Sequence, residues 1–228
     1  MIRTSTAYRT VSHGALCVVT GNMPTYIKAW LRWKQYDAKR RIVGSSDGRE
    51  HASREVEMKE LEIEAEGRWR VEWAFHNPYS WTKRLIEDPL IFYRTKRCVN
   101  YHVMQILTGH GIFNWYRQRI GKETHTSCWD CGAVVDDAEH VLFWCPRWAA
   151  ERWELEAEMG EECSIRNRFV EKMTAEERLW RSFSSFCTQA MTSRPNRERE
   201  LEAQRRWKSG GEECRGCARL TMEMGTCM

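Results

Sequence analysis

The stretch "CWDCGAVVDDAEHVLFWC", Cys128 to Cys145, concentrates the residue types and spacings in this chain that can do chemistry. Cys128 and Cys131 stand two residues apart, so one tight turn can present both sulfurs to a single ion. His140 follows after eight residues and Cys145 after four more. C-x2-C-x8-H-x4-C supplies three thiolates and one imidazole, a complete tetrahedral shell for a structural zinc ion. Gly132, directly after the second cysteine, is where the backbone has to bend sharply. Bonds to the metal would add folding energy to a segment with little apolar core of its own. The competing reading is a set of ordinary buried thiols; four donors at finger-like spacing favour the metal. His125 is a spare imidazole nearby. Cys214 and Cys217 form a second CxxC, with Cys227 beyond, but no histidine follows them and they read as a tail pair.

Inside the same loop, Val134-Val135-Asp136-Asp137 resembles the carboxylate turn of a two-metal phosphoryl-transfer site. That chemistry requires a further carboxylate from a separate strand. Asp37, Asp47, Asp88 and Asp130 are the other aspartates, and none ends a convincing strand. The pair reads as a polar turn. There is no Gly-rich phosphate loop, no GxSxG elbow and no HExxH. No catalytic residue is assigned, and the residues describe a binding module.

The elements that must position this loop come from a chain of 228 residues, enough for one fair-sized domain or two small ones. With 42% hydrophobic and 30% charged residues the balance is globular, and twelve tryptophans supply large core or stacking groups. The net charge of +4 says little by itself. Its distribution says more: Arg3, Arg9, Lys28, Arg32, Lys34, Lys39, Arg40 and Arg41 face one acid, Asp37, whereas Glu55, Glu57, Glu60, Glu62 and Glu64 crowd the next segment. A basic block beside an acidic helix fits a nucleic-acid-facing surface, with plain solvated helix faces as the competing reading. No apolar run has signal-peptide or membrane-spanning length. Paired CxxC spacings in such a chain point to metal before disulfides, and the chain reads as soluble, intracellular and not secreted.

Apolar spacing predicts a mostly α fold. Tyr8, Val11, Ala15 and Val18 predict a first helix, broken by Gly21, Asn22 and Pro24. A second runs from about Pro24 to Arg41, with Tyr26, Trp30 and Trp33 on one face beside Ile27 and Leu31. After the "VGSSDGRE" loop comes a charged helix from about Ser53 to Arg70, ended by Asn77-Pro78. "LIFYRTK" and "VNYHVMQILTGHGIF" read as core helices. Pro146 opens a helix that stops at Gly160, with Trp148, Arg152, Leu155 and Met159 on one face. Thr174 and Glu177 form a capping-box pattern before a helix carrying Leu179, Trp180, Phe183 and Phe186. From Arg194 onward the chain reads as a polar, helical or frayed tail. The expected divisions are a helical segment at 1–45, a charged helix and connector at 46–120, a zinc module at 121–160 and a C-terminal helix and tail at 161–228.

"AYRTVSHGALCVVTGNMP" resembles the segment that follows the polymerase core in non-LTR (LINE-like) retrotransposon proteins. The shared pattern is matched at Tyr8 to Ser12, Ala15, Leu16, Val18, Gly21 and Pro24. "LTGHGIFNWYRQRIG" and "CWDCGAVVDDAEHVLFWCPRW" look like the C-terminal region of the same proteins, matched at Leu107 to Phe113, Cys128, Cys131, Ala138 to His140 and Cys145-Pro146. The two motifs cover about residues 6 to 160 and are most similar to those of arthropod elements that insert into ribosomal RNA genes. The resemblance implies a C-terminal, non-catalytic fragment of a Pol polyprotein whose reverse transcriptase and endonuclease, with their magnesium ions, lie upstream. It implies a thumb-like first segment followed by a zinc-knuckle-like module, element RNA and ribosomal DNA as partners, and a nuclear site of action. Lys28, Arg32, Lys34, Arg40 and Arg41 would then contact phosphates. Trp129 and Trp144, beside the metal ligands, would stack on unpaired bases. Trp30 and Trp33 as core residues, and the knuckle as a plain folding unit, are the competing readings. The alternative from another class is a free-standing zinc-stabilised protein-interaction module, or an inactive relic of such an element.

Overall fold

Ser12 decides where the first helix begins. Its Oγ accepts a hydrogen bond from the Ala15 N–H at 3.3 Å, so helix α1 runs His13–Val19 rather than from Tyr8. Serine is a strong N-cap, and Tyr8 to Val11 instead form a turn closed by the Val11 N–H on the Tyr8 carbonyl at 3.1 Å. The computed structural model describes residues 7–41, 48–164 and 168–222, with the backbone alone for 41, 48–53, 205, 206 and 208–222. All described elements are helical, with no strand among them.

α1 is buried from Ala15 to Val19. Gly21 then turns the chain at φ +61°, where a Cβ would lie 2.7 Å from the Phe92 backbone. α2 (Thr25–Arg41) packs along α3 (Gly48–Ala74), which is longer at both ends than the spacing predicts. Ile27, Ala65, Trp69 and Trp73 belong to one apolar core, with Trp30 and Leu31 partly buried beside them, and Ala38 is fully buried further along α2. Tyr26 and Trp33 are not part of that core; each is 59% exposed. The "VGSSDGRE" loop falls largely outside the described residues.

Ser80 caps α4 (Trp81–Leu85), α5 is Ile91–Thr95, and Asn100 caps α6 (Tyr101–Thr108). α6 is buried from Val103 to Thr108 and forms the middle of the core. Gly109, in the left-handed conformation, ends it, so "GHGIF" is a loop and not the continuation of a helix. α7 covers Asn114–Arg119. After the knuckle, α8 (Ala149–Met159) stops at left-handed Gly160 and buries Arg152 and Leu155, as its spacing predicts. α9 (Phe169–Ala175) precedes α10 (Glu177–Met222). Thr174 is no cap: it is buried in α9, and its hydroxyl donates to the Val170 and Glu171 carbonyls at 2.9 Å each.

α10 packs on α6, α8 and α9 through Leu179, Trp180, Phe183 and Phe186, all buried, and continues with Cys187, Ala190 and Met191. Full burial of one such side chain stabilises by about 1.5–3 kcal/mol. One apolar cluster runs from Cys17 to Met191. No helix among the described residues is long and apolar enough to cross a membrane.

Candidate metal centre

The ligand loop is built as a knuckle. The Cys128 N–H donates to the Ala133 carbonyl at 2.8 Å and the Gly132 N–H to the Cys128 carbonyl at 3.0 Å. Gly132 takes φ +75°, a conformation that side chains disfavour, which is the sharp bend expected there. Asp137 then caps the next helical turn. Its Oδ1 accepts from the His140 N–H at 2.7 Å and its carbonyl from the Val141 N–H at 3.1 Å.

That turn widens into a π-helix over His140–Trp144, closed by the Cys145 N–H on the His140 carbonyl at 2.7 Å. The widening explains the H-x4-C spacing. In an α-helix, residues five apart lie about 140° from each other around the axis. The i→i+5 closure brings them to one side. His140 and Cys145 therefore face the knuckle together, while Val141, Leu142 and Phe143 enter the core.

The four donor atoms of Cys128, Cys131, His140 and Cys145 all lie within 4.8 Å of one another. His140 Nε2 is 3.3 Å from Cys131 Sγ, and Cys145 Sγ is 4.0 Å from both Cys128 Sγ and Cys131 Sγ. Two sulfurs at about 2.3 Å from a tetrahedral zinc ion stand about 3.8 Å apart, so the donor set fits the ion without rearrangement. Cys128, His140 and Cys145 are buried and Cys131 is exposed, which leaves one edge of the site toward solvent.

The hydrogen bond with Cys145 holds the Cys128 thiol well below its usual range against its burial, aided by His140 and the turn's N–H groups. Cys145 is pushed up in turn, by that same bond and by burial. A metal ion would replace the shared proton. Burial, with Glu72 near Cys17 and Glu156 near Cys163 adding to it, pushes these two thiols up, Cys17 to about 11 and Cys163 to about 12, and leaves them inert. His125 is engaged elsewhere, with Nδ1 3.0 Å from Ser127 Oγ and Nε2 3.5 Å from Glu123. The Cys214 and Cys217 side chains and Cys227 lie outside the described residues.

The knuckle is tied to the helical framework by Arg194, a residue expected in a polar tail. Asp136 is fully buried and paired with Arg194, itself 1% exposed, so Arg194 is a core residue of α10 and not the start of a polar tail. Asp136 also accepts from the Asn114 N–H at 2.9 Å, while Arg194 donates to the Ile112 carbonyl and lies 5.8 Å from the Trp129 ring centre. Burial raises the Asp136 carboxyl to about 6, with the Arg194 guanidinium opposing that rise. One aspartate is thus an anchor and the other a helix cap. The spacing Phe183, Cys187, Ala190, Arg194 carries the missed signal, because the arginine continues the buried stripe.

The proposed nucleic-acid residues lie on separate elements. Lys28, Arg32 and Arg40 are exposed on α2. Lys34 lies 5.2 Å from the Trp33 ring centre and Arg40 5.7 Å from that of Tyr36. The Arg41 side chain is outside the described residues. Trp144, on the π turn, is 65% exposed. Trp129 has Arg117 5.3 Å and Arg194 5.8 Å from its ring centre, and its indole nitrogen is buried.

Fold and site together define a protein that is all-helical among its described residues, with a small CCHC knuckle capable of holding zinc. In sequence the chain is a distant relative of part of the Pol polyproteins of R1 retrotransposable elements. It is 27% identical over 163 residues to the retrovirus-related Pol polyprotein from type-1 retrotransposable element R1 4 of Nasonia vitripennis, over 68% of this chain and 41% of that protein. It is 30% identical over 156 residues to the corresponding R1 2 polyprotein of the same wasp, over 63% of this chain and 37% of that protein. The chain spans about two fifths of the length of these relatives. No family model matches it, and no solved structure does.

Proposed function

We propose that this chain is the C-terminal, non-catalytic part of a retrotransposon Pol polyprotein, which folds around one structural zinc ion and holds element RNA or target DNA during target-primed reverse transcription. The observation that carries the reading is the closed Cys128–Cys131–His140–Cys145 donor set in a chain related to Pol polyproteins. Four protein donors leave no open position for a substrate, which is the pattern of a structural site. The catalytic magnesium ions belong, on this reading, to other parts of the polyprotein, and ribosomal DNA as target places the work in the nucleus.

Nucleic-acid contact is supported by the outer face of α2, where Lys28, Arg32 and Arg40 accompany Trp33 and Tyr36, 59% and 60% exposed. Cations that track a backbone beside rings that stack on bases are the usual means of holding a strand. Trp144 adds an open ring at the knuckle.

A salt titration of the zinc-loaded chain with single-stranded RNA and duplex DNA tests this. Affinity should fall linearly on a log–log plot, by about 0.7 in slope for each phosphate contact to a single strand. Charge reversal at Lys28, Arg32 and Arg40 should flatten that slope. No measurable affinity for either nucleic acid at low salt would defeat the reading in favour of a zinc-stabilised protein-interaction module.

A further inference from the structure

The "LTGHGIF" motif has no role in the metal site, yet the fold gives it one. A cleft of about 480 Å³ opens beside the knuckle, between the start of α1, the turn after α3, α4, the end of α6, α7 and the Asp137–Glu139 cap. Its wall includes Gly109 and His110 of the motif, with Trp81, Arg84, Trp115 and Arg119. The volume is within the range of small-ligand sites.

The wall is held in place by its own bonds. Trp81 donates its indole N–H to the Ile106 carbonyl at 2.7 Å, and Gly109 lies against its ring, where a Cβ would come within 3.1 Å of Cδ1. His110 Nδ1 is bound to the Thr108 carbonyl at 2.7 Å, which makes Nδ1 the protonated nitrogen and leaves Nε2 as an acceptor without a partner among the described residues. Burial lowers the pKa of His110, and likewise that of His76 on the far wall, so both are neutral at pH 7.

Charge in the cleft is separated by position. Arg119, at the α7 side, forms no ion pair with an acid among the described residues and lies 4.9 Å from the ring centre of Trp115, which is 38% exposed. At the cap side, Glu139 is paired with Arg84 at 2.7 Å, and Asp137 uses one oxygen on the His140 N–H. A cation beside an aromatic surface at one end, with acceptor groups at the other, matches a ligand with an anion, a flat ring and ring-edge donors.

We infer that this cleft takes up one unpaired nucleotide of a nucleic-acid strand, with its phosphate at Arg119, its base against Trp115, and its base edge or sugar hydroxyl on His110 Nε2 and the Asp137 carboxylate. The inference rests on the nucleic-acid reading above and assigns it a specific pocket. It makes "LTGHGIF" a wall of the binding site, with Gly109 needed so that the His110 loop can close on Trp81. Exocyclic amines of bases are read by carboxylate acceptors of this kind.

The test uses the zinc-loaded full chain with fluorescent oligocytidine RNA, its DNA counterpart and a blunt duplex. Trp115→Ala and Arg119→Ala alter exposed side chains, and their fold is checked by helical content and zinc content. Each should weaken single-strand binding about tenfold while changing duplex binding by less than about twofold, since stacking is lost only for an unpaired base. Unchanged single-strand affinity in both variants, with affinity lost on charge reversal at Lys28, Arg32 and Arg40, would overturn the cleft and leave the nucleic-acid reading standing. If the wild-type chain binds no strand, that broader reading fails, and a titration with cytidine monophosphate followed on the His110 ring resonances decides the cleft separately. A shift that Arg119→Ala abolishes supports it, and the absence of a shift overturns it.

Discussion

Along α2 and α3, order comes from an apolar seam, with Ile27 and Ala38 buried on one helix and Ala65, Trp69 and Trp73 on the other, and Arg68 lies 3.9 Å from the ring centre of Trp30. The ligand loop between Thr126 and Asp137 has no such seam. Its buried residues are Cys128, one of the four candidate metal donors, and Asp136, a carboxylate. The first region is held by area removed from water, which is non-directional and tolerant. The second is held by a few directional bonds, each of which fails outright when one partner is lost. The same chain therefore contains a part that should survive loss of the metal and a part that should not.

The largest effect should come from the metal itself. Replacing Cys128 and Cys145 by serine, or adding a strong chelator, should abolish zinc binding, and structural zinc is worth about 10–16 kcal/mol in finger-like sites. Amide exchange should rise sharply through residues 126–137 and stay unchanged along Ala65 to Trp73. Equal loosening of both regions would break the comparison.

Next comes Arg194→Met, which strands Asp136 as a buried charge and should destabilise the fold by about 3–5 kcal/mol. Denaturant unfolding would measure it. The double variant Asp136→Leu, Arg194→Met should recover much of that loss, because the uncompensated charge is gone. The smallest of the three is Gly21→Ala, which acts on the apolar framework alone. A left-handed φ and a 2.7 Å approach to the Phe92 backbone should cost about 2 kcal/mol, with zinc content unaffected. Loss of zinc in that variant would show that the two regions are not separable.

Much of the site was legible in the residues. Ligand identity follows from the side-chain types and spacing, and the bend at Gly132 from the need for a residue without a Cβ. The helices ending at Gly160 and carrying Phe183 and Phe186 follow from apolar spacing at a period near 3.6. That same period hid the π turn, since H-x4-C makes no geometric sense on a regular helix. Arg194 was hidden by its type: a charged residue reads as surface even where it continues the stripe of Phe183, Cys187 and Ala190. Ser12 and Thr174 show the ambiguity of hydroxyls, which cap a helix from outside or bond back to a carbonyl from within. Here one did each. On α2, aromatic residues on both sides of the helix left the buried face open, and packing against α3 selected Ile27 and Ala38.

The central claim is that Cys128, Cys131, His140 and Cys145 hold one zinc ion together. Zinc X-ray absorption on the purified chain tests it most directly. One zinc per chain is expected, with three sulfur neighbours at about 2.3 Å and one nitrogen at about 2.0 Å. A shell of oxygen and nitrogen alone, or a chain that retains no zinc, would contradict it.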